Sequence, residues 1–165
     1  MTPSVSAACF EESVWIKITG RGNFQCSPCL KTLVQTMLDQ GHLAYVIDLA
    51  ACEQMDSTFM GTITGIAQRL KAVPQGTLRV INTSNSNQEL MENLGLHQLF
   101  SIQSLSEGVE LPPSSEDDCF YEAFDGSNEN KKSVVQEAVL SAHEALVAAD
   151  EANIPKFKNL LEVIW

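Results

Sequence analysis

The sequence predicts an α/β fold: a mixed, mostly parallel β-sheet with alternating helices, followed by a C-terminal helical hairpin. Two observations lead to this prediction. Short apolar segments rich in β-forming residues alternate along the first hundred residues with segments whose apolar residues recur three or four positions apart. The first two strands are separated only by Glu11 to Ser13, which suits a tight antiparallel connection before the parallel strands begin.

The elements can be assigned in order along residues 1–103, the predicted main domain. Two of the helical segments end at a glycine, Gly41 and Gly95. In chain order we expect strands at 7–10 and 14–18, a helix at 28–40, a strand at 44–49, a helix at 58–71, a strand at 77–81, a helix at 86–94 and a last short strand at 100–102.

The net charge of −11 is concentrated in residues 104–130. This segment has eight acidic residues and no basic one, whereas residues 1–103 carry eight acids and six bases. With its tandem prolines at 112–113 it is typical of an acidic linker, and we expect its aromatic stretch at 119–124 to pack on the domain. The charge balance argues against direct nucleic-acid binding, which requires a positive face.

The C-terminal extension, residues 131–165, predicts an amphipathic helical hairpin with a break at Asn153-Ile154-Pro155. Its two helices cannot bury their apolar faces alone, so they must pack on the domain, on a second copy in a homodimer, or on a partner. We favour the first two.

The sequence predicts a cytoplasmic protein. No segment approaches the roughly 18 consecutive apolar residues that a membrane helix needs, so no membrane insertion is expected. Residues 1–10 have neither the basic start nor the apolar stretch of a secretion signal.

The most informative segment is Met55 to Thr64, where a hydroxyl pair, Ser57 and Thr58, follows Asp56 at a strand-to-helix transition. Ser57 is expected to be the N-cap of the helix. A phosphoryl group there would face the positive end of the helix dipole, but would sit beside the Asp56 carboxylate and change what the surface binds. The simpler interpretation is that Ser57 only caps the helix.

Val46 to Leu49, Met55 to Thr58 and Gly61 together resemble the signature of STAS domains, the fold of bacterial anti-sigma factor antagonists. The segments 14–24, 78–81 and 94–100 resemble the family's other strands, loop and helix, so that roughly residues 5 to 110 are covered. The resemblance implies that an anti-sigma factor with serine kinase activity phosphorylates Ser57, and that a separate PP2C-type phosphatase reverses it. Thr58 is the alternative acceptor or a neighbouring support.

By the same resemblance, Asp56 orients the hydroxyl and contacts the kinase or its magnesium ion, and the loop at Asn23 lies alongside. The expected partner-binding residues are Asn23, Asp56, Ser57, Thr58, Phe59 and Met60. Many family members have glycine directly after the two hydroxyl residues, whereas this chain reaches Gly61 only after Phe59 and Met60. This pair could reshape the partner surface, or could belong to the core.

Two alternatives stay open. One is a non-phosphorylated STAS scaffold in a sensory complex. The other is a thiol redox sensor at Cys26 and Cys29, although Ser27 as N-cap with Pro28 at the first helical position explains that segment structurally. We expect no enzyme, cofactor or metal, since the three histidines look like surface residues and no catalytic motif is present.

Overall fold

The computed structural model describes residues 4–10, 13–104, 119–123 and 132–156. The strands are β1 (Ser4–Phe10), β2 (Ser13–Gly22), β3 (Ala44–Asp48), β4 (Cys52–Met55), β5 (Thr77–Thr83), β6 (Ser101–Ser104) and β7 (Cys119–Ala123). The helices are α1 (Ser27–Asp39), α2 (Ser57–Lys71), α3 (Asn85–Asn93) and α4 (Lys132–Ala149), with short 3-10 turns at Leu96–Gln98 and Glu151–Asn153. Within these described ranges, no helix is long and apolar enough to cross a membrane.

The strands form one sheet in the order β6-β5-β3-β2-β1-β7, and β4 pairs separately with β2. β1 runs antiparallel to β2 and to β7, while the pairs β2–β3, β3–β5 and β5–β6 are parallel. The predicted fold class, a mixed and mostly parallel sheet with alternating helices after an opening hairpin, is confirmed.

The core lies between the centre of the sheet and the helices α1 and α2. β2 alternates, burying Val14, Ile16 and Ile18 on one face, and the central strand β3 is buried from Tyr45 onward. Burying this apolar surface is the main favourable term in folding, and it fixes the position of α2 relative to the sheet. The helix residues that complete the core include Leu30, Leu33, Val34, Met37, Phe59, Ile63, Ile66 and Leu70.

The sequence pattern did not predict β4, which positions the start of α2. β2 pairs with β3 only up to Lys17, and from Gly20 onward it pairs with β4, with a shift in register between Gly20 and Arg21. Gly20 has a φ of 85°, a conformation that glycine adopts easily. β4 therefore carries the chain alongside the end of β2, where the backbone N–H of Asp56 donates to the carbonyl of Gly22 at 2.9 Å.

The acidic segment 104–130, predicted to be a linker, contains a strand. β7 pairs with β1, placing Cys119 opposite Cys9 and Ala123 opposite Val5. A stretch that includes Phe120 and Tyr121 favours β-structure despite its acidic surroundings, and it pairs the otherwise open edge of β1. The other residues of the segment, apart from Ser104, lie outside the described ones.

The C-terminal extension packs on the domain, because α4 lies along α2 and also contacts α1. The break expected at 153–155 coincides with the 3-10 turn Glu151–Asn153 and a helical start at 154–156. The apolar residues of the predicted second helix, from Phe157 to Trp165, lie outside the described residues.

Candidate functional site

The carboxylate of Asp56 connects the start of α2 to the loop that follows β2. Its Oδ1 accepts from the backbone N–H of Phe59 at 2.8 Å, and its Oδ2 accepts from the backbone N–H of Phe24 at 3.0 Å. Asp56 is therefore the N-cap of α2, and the prediction that Ser57 is the N-cap was wrong by one residue. Because a carboxylate has two acceptor oxygens, Asp56 can cap α2 with one oxygen and hold the loop after β2 against the helix with the other.

We expect Asp56→Ala to lower the free energy of unfolding by about 2 kcal/mol, since a helix cap and a loop contact are both lost. Asp56→Asn keeps one acceptor oxygen and should lose about half as much. Urea denaturation of the three proteins measures this difference. Equal losses for the two variants would contradict the two-contact role of the carboxylate.

Ser57 occupies the first position of α2, and its hydroxyl lies 2.8 Å from Nε2 of His143 on α4. His143 Nδ1 lies 2.7 Å from the carbonyl oxygen of Val139, which can only accept, so Nδ1 carries a proton. In the neutral imidazole Nε2 is then an acceptor, and the Ser57 hydroxyl donates to it. The predicted contact of this hydroxyl with Asp56 is thus replaced by one with His143.

His143 is only 1% exposed, so the prediction that all three histidines are surface residues was wrong for this one. The spacing of residues along α4 could not indicate this contact, because the Ser57 hydroxyl lies 86 positions before His143 in the chain. His97 is exposed, as expected, and His42 is half-buried.

The seam between α2 and α4 is built from small residues. A Cβ placed on Gly61 would lie 2.2 Å from the carbonyl oxygen of Ala142, and one on Gly65 would lie 3.9 Å from Cβ of Ala145. One turn further along, the Gln68 side-chain amide donates to the carbonyl of Ala145 at 3.2 Å. The two backbones approach closely because glycine has no side chain at the crossing.

The far end of α4 is anchored to the end of α3. Asn153 is fully buried, and its Nδ2 donates to the carbonyls of Leu94 at 3.0 Å and Leu146 at 2.8 Å. Lys156 Nζ donates to the carbonyl of Asn93 at 2.7 Å, at the helix end where a cation is favoured. Polar contacts thus hold α4 at two places, at His143 beside Ser57 and just beyond its C-terminal end beside α3.

The predicted partner-binding residues fall into two groups. Phe59 is 0% exposed and Met60 is 5% exposed, so the core interpretation holds for both and neither presents a surface to a partner. Thr58 is 5% exposed, which removes it as an accessible acceptor in this conformation. Asn23, Asp56 and Ser57 are half-buried at one end of α2. The side chain of Phe24, which was not among the expected partner-binding residues, is 39% exposed next to them.

The comparison with protein families assigns this arrangement. The model of the STAS domain matches residues 5–109. This chain belongs to the STAS domain family. No curated protein matches the chain.

Solved structures with a similar fold include anti-sigma factor antagonists. The crystal structure of TM1081 from Thermotoga maritima, described as an anti-sigma factor antagonist, is 17% identical with a TM-score of 0.55, covering 61% of this chain and 87% of that one. Its NMR structure is 18% identical with a TM-score of 0.54, covering 65% and 84%. The phosphorylated form of SpoIIAA from Bacillus is 21% identical with a TM-score of 0.49, covering 59% and 88%. At these identities the likeness to the two TM1081 structures shows the fold alone.

The cysteines of this STAS domain near α1 are mostly buried. Cys26 is the residue before α1, and Ser27, expected to be the N-cap, instead lies inside the helix with its hydroxyl 3.4 Å from the carbonyl of Asn23. Cys26 and Cys52 are buried while Cys29 is half-buried. Burial raises the pKa of the Cys26 and Cys52 thiols above the ordinary value. Among the described residues, no three His, Cys, Asp or Glu side chains are grouped as a metal site.

We expect iodoacetamide at pH 8 to alkylate Cys29 before Cys26 and Cys52 in the native protein, since the two buried thiols are covered and retain their protons. Because the folded pKa values are raised, the stability contribution of the two protonated thiols is present below about pH 9 and is lost as the pH rises further. Peptide mapping after timed alkylation measures the order. Labelling of Cys26 first would favour the redox alternative.

Proposed function

We propose that this STAS protein is a regulator of the anti-sigma factor antagonist type, which binds an anti-sigma serine kinase and is switched by reversible phosphorylation of Ser57. The observation that carries this proposal is the position of the Ser57 hydroxyl at the first residue of α2, beside the Asp56 carboxylate and the loop at Asn23. A PP2C-type phosphatase would restore the unmodified form.

The charge of the site supports a switch. Asp56 already places a negative charge at the end of α2, and a phosphoryl group adds a charge of about −1.5 to −2 within the same turn. The unmodified surface, with Asn23 and the exposed Phe24 next to Asp56, is then the form that binds the kinase. The phosphorylated form repels a partner that accepted the single carboxylate.

One observation favours a second candidate, a STAS scaffold that is not phosphorylated. The Ser57 hydroxyl is hydrogen-bonded to the buried His143, as a serine with a purely structural role would be. In that case the exposed loop and sheet edge would hold a larger assembly together, and a charge at position 57 would not select between partners.

A pull-down from lysate of the source cells separates the two candidates. The baits are the wild type, Ser57→Glu, and Ser101→Glu as a matched control, because Ser101 is exposed on β6. An ATP-binding serine kinase that is recovered with wild type and Ser101→Glu, but lost with Ser57→Glu, is the expected result. Recovery of the same partners on all three baits would support the scaffold instead.

A further inference from the structure

We propose that α4 is an intramolecular cover for Ser57: docked α4 and a phosphoryl group on Ser57 exclude one another, so release of α4 controls access to the site. The inference deepens the proposed function and rests on it for the identity of the phosphoryl donor. It goes beyond that function in assigning a role to the C-terminal extension, which lies outside the matched domain at 5–109.

The first step is steric. Ser57 Oγ and His143 Nε2 are already at hydrogen-bond distance, 2.8 Å. A phosphoryl group adds a phosphorus atom and three further oxygens to Oγ, and these need the space that the imidazole occupies. His143 cannot turn aside on its own, because its Nδ1 is bonded to Val139 and the ring is 1% exposed.

The second step is the chemistry of transfer. The Ser57 Oγ must attack the γ-phosphorus of ATP, so that the Oγ–P bond forms, the bond from phosphorus to the bridging oxygen of ADP breaks and the hydroxyl proton passes to a base of the kinase. An in-line approach requires Oγ to face the kinase. In the docked state Oγ faces α4, so α4 must move before transfer.

The third step is that α4 can be released without unfolding the domain. Among the described side chains, its contacts to α2 include the small residues Ala142 and Ala145 and polar contacts such as those of His143 and Gln68. Of the side chains on α4 that the structure describes, only Leu146 is a large apolar residue in the core. Most residues of the apolar core belong to the sheet, α1 and α2, and Leu146 is the residue that α4 adds to it.

A cover of this kind controls binding through the fraction of molecules in which α4 is released. The kinase binds only the fraction of molecules in which α4 is released, so its apparent affinity is the intrinsic affinity multiplied by that fraction. Any condition that releases α4 while Ser57 stays unmodified therefore raises affinity for the kinase. Phosphorylation, once made, prevents α4 from docking again, because the phosphoryl group takes the space that the His143 ring occupies in the docked state.

Hydrogen–deuterium exchange on the full-length protein tests the exclusion directly, with phosphoserine incorporated at position 57 during translation. The control carries phosphoserine at position 101, on the exposed start of β6. An 18-residue helix without a packing partner is marginal in water, so release should speed exchange of the α4 amides by tenfold or more. The amides of β3, buried at the centre of the sheet, are the internal reference.

We expect faster exchange in α4 with phosphoserine at 57, unchanged exchange in β3, and wild-type behaviour with phosphoserine at 101. Unchanged protection of α4, or an equal loss in α4 and β3, would overturn the inference. If phosphoserine at 57 prevents folding, Ser57→Glu is measured in the same way and judged by the same two results. No kinase takes part, so a failure to find one removes the proposed function without altering this result.

Discussion

Gly61→Ala is expected to separate α4 from α2 and to lower the free energy of unfolding by about 2 kcal/mol. The new Cβ would lie 2.2 Å from the carbonyl oxygen and 2.7 Å from Cβ of Ala142, and backbone atoms cannot give way cheaply. The three nearest atoms all belong to Ala142, so α2 itself keeps its packing against the sheet. Alanine is also the better helix former, which leaves the collision with α4 as the destabilising term.

Gly65→Ala is the matched control, one turn further along the same helix. Its Cβ would lie 3.9 Å from Cβ of Ala145, an ordinary contact, so it should be neutral or stabilise by up to about 1 kcal/mol. Urea denaturation and hydrogen exchange of α4 measure both variants. If the two variants behave alike, the close crossing at Gly61 does not hold in solution.

Asn153→Asp is expected to have the second large effect, a loss of about 3 kcal/mol at pH 7. Asn153 is fully buried and donates from Nδ2 to the carbonyls of Leu94 and Leu146, and an aspartate would turn a carboxylate oxygen toward those two acceptors. Such a buried carboxyl takes up a proton more readily than a free one. Its folded pKa is raised, so the loss relative to wild type should be smaller at pH 4 and grow as the pH rises.

The control for this variant is Asn93→Asp, which adds the same charge at an exposed position beside the anchor. It should change the free energy of unfolding by less than about 0.5 kcal/mol. Thermal or urea unfolding at pH 4 and pH 7 gives the comparison. An Asn153→Asp protein as stable as Asn93→Asp would show that α4 is not anchored at α3.

The sequence was sufficient for the elements whose signal is local. The periodicity of residues 30–38 and 63–70, and the apolar strand at 44–49, located α1, α2 and β3 within one or two residues. β4 was missed because Cys52-Glu53-Gln54-Met55 has no apolar alternation, and its pairing depends on the irregularity in β2 at Gly20. β7 was missed because the acidic composition of its surroundings outweighed its aromatic residues.

The candidate site was predicted in position but not in its contacts. The N-cap is Asp56 instead of Ser57, and Ser57 is the first helical residue, a shift of one position that local sequence rarely decides. The contact with His143 joins residues 86 positions apart and could not be derived from spacing. The sequence feature that indicates the packing of α4 on α2 is a pair of small-residue patterns, Gly61 with Gly65 and Ala142 with Ala145.

The departure from the family pattern now has a structural explanation. Phe59 and Met60 are buried, and Phe59 packs against Gly22, where a Cβ would lie 2.8 Å from its ring. Gly61, the residue after them, is where α2 needs no side chain, because Ala142 of α4 lies against it. The bulky pair therefore fills the core, and the displaced glycine leaves room for the close approach of α4.

Phosphopeptide mapping after incubation with ATP and lysate of the source cells tests the role of Ser57 most directly. We compare wild type, Gly61→Ala, Gly65→Ala and Ser57→Ala under identical conditions. The expected result is phosphate on Ser57 in wild type, more in Gly61→Ala, a wild-type amount in Gly65→Ala, and none transferred to Thr58 in Ser57→Ala. If Ser57 carries no phosphate in wild type, Gly61→Ala or Gly65→Ala, the three proteins that have this serine, the phosphorylation switch is contradicted.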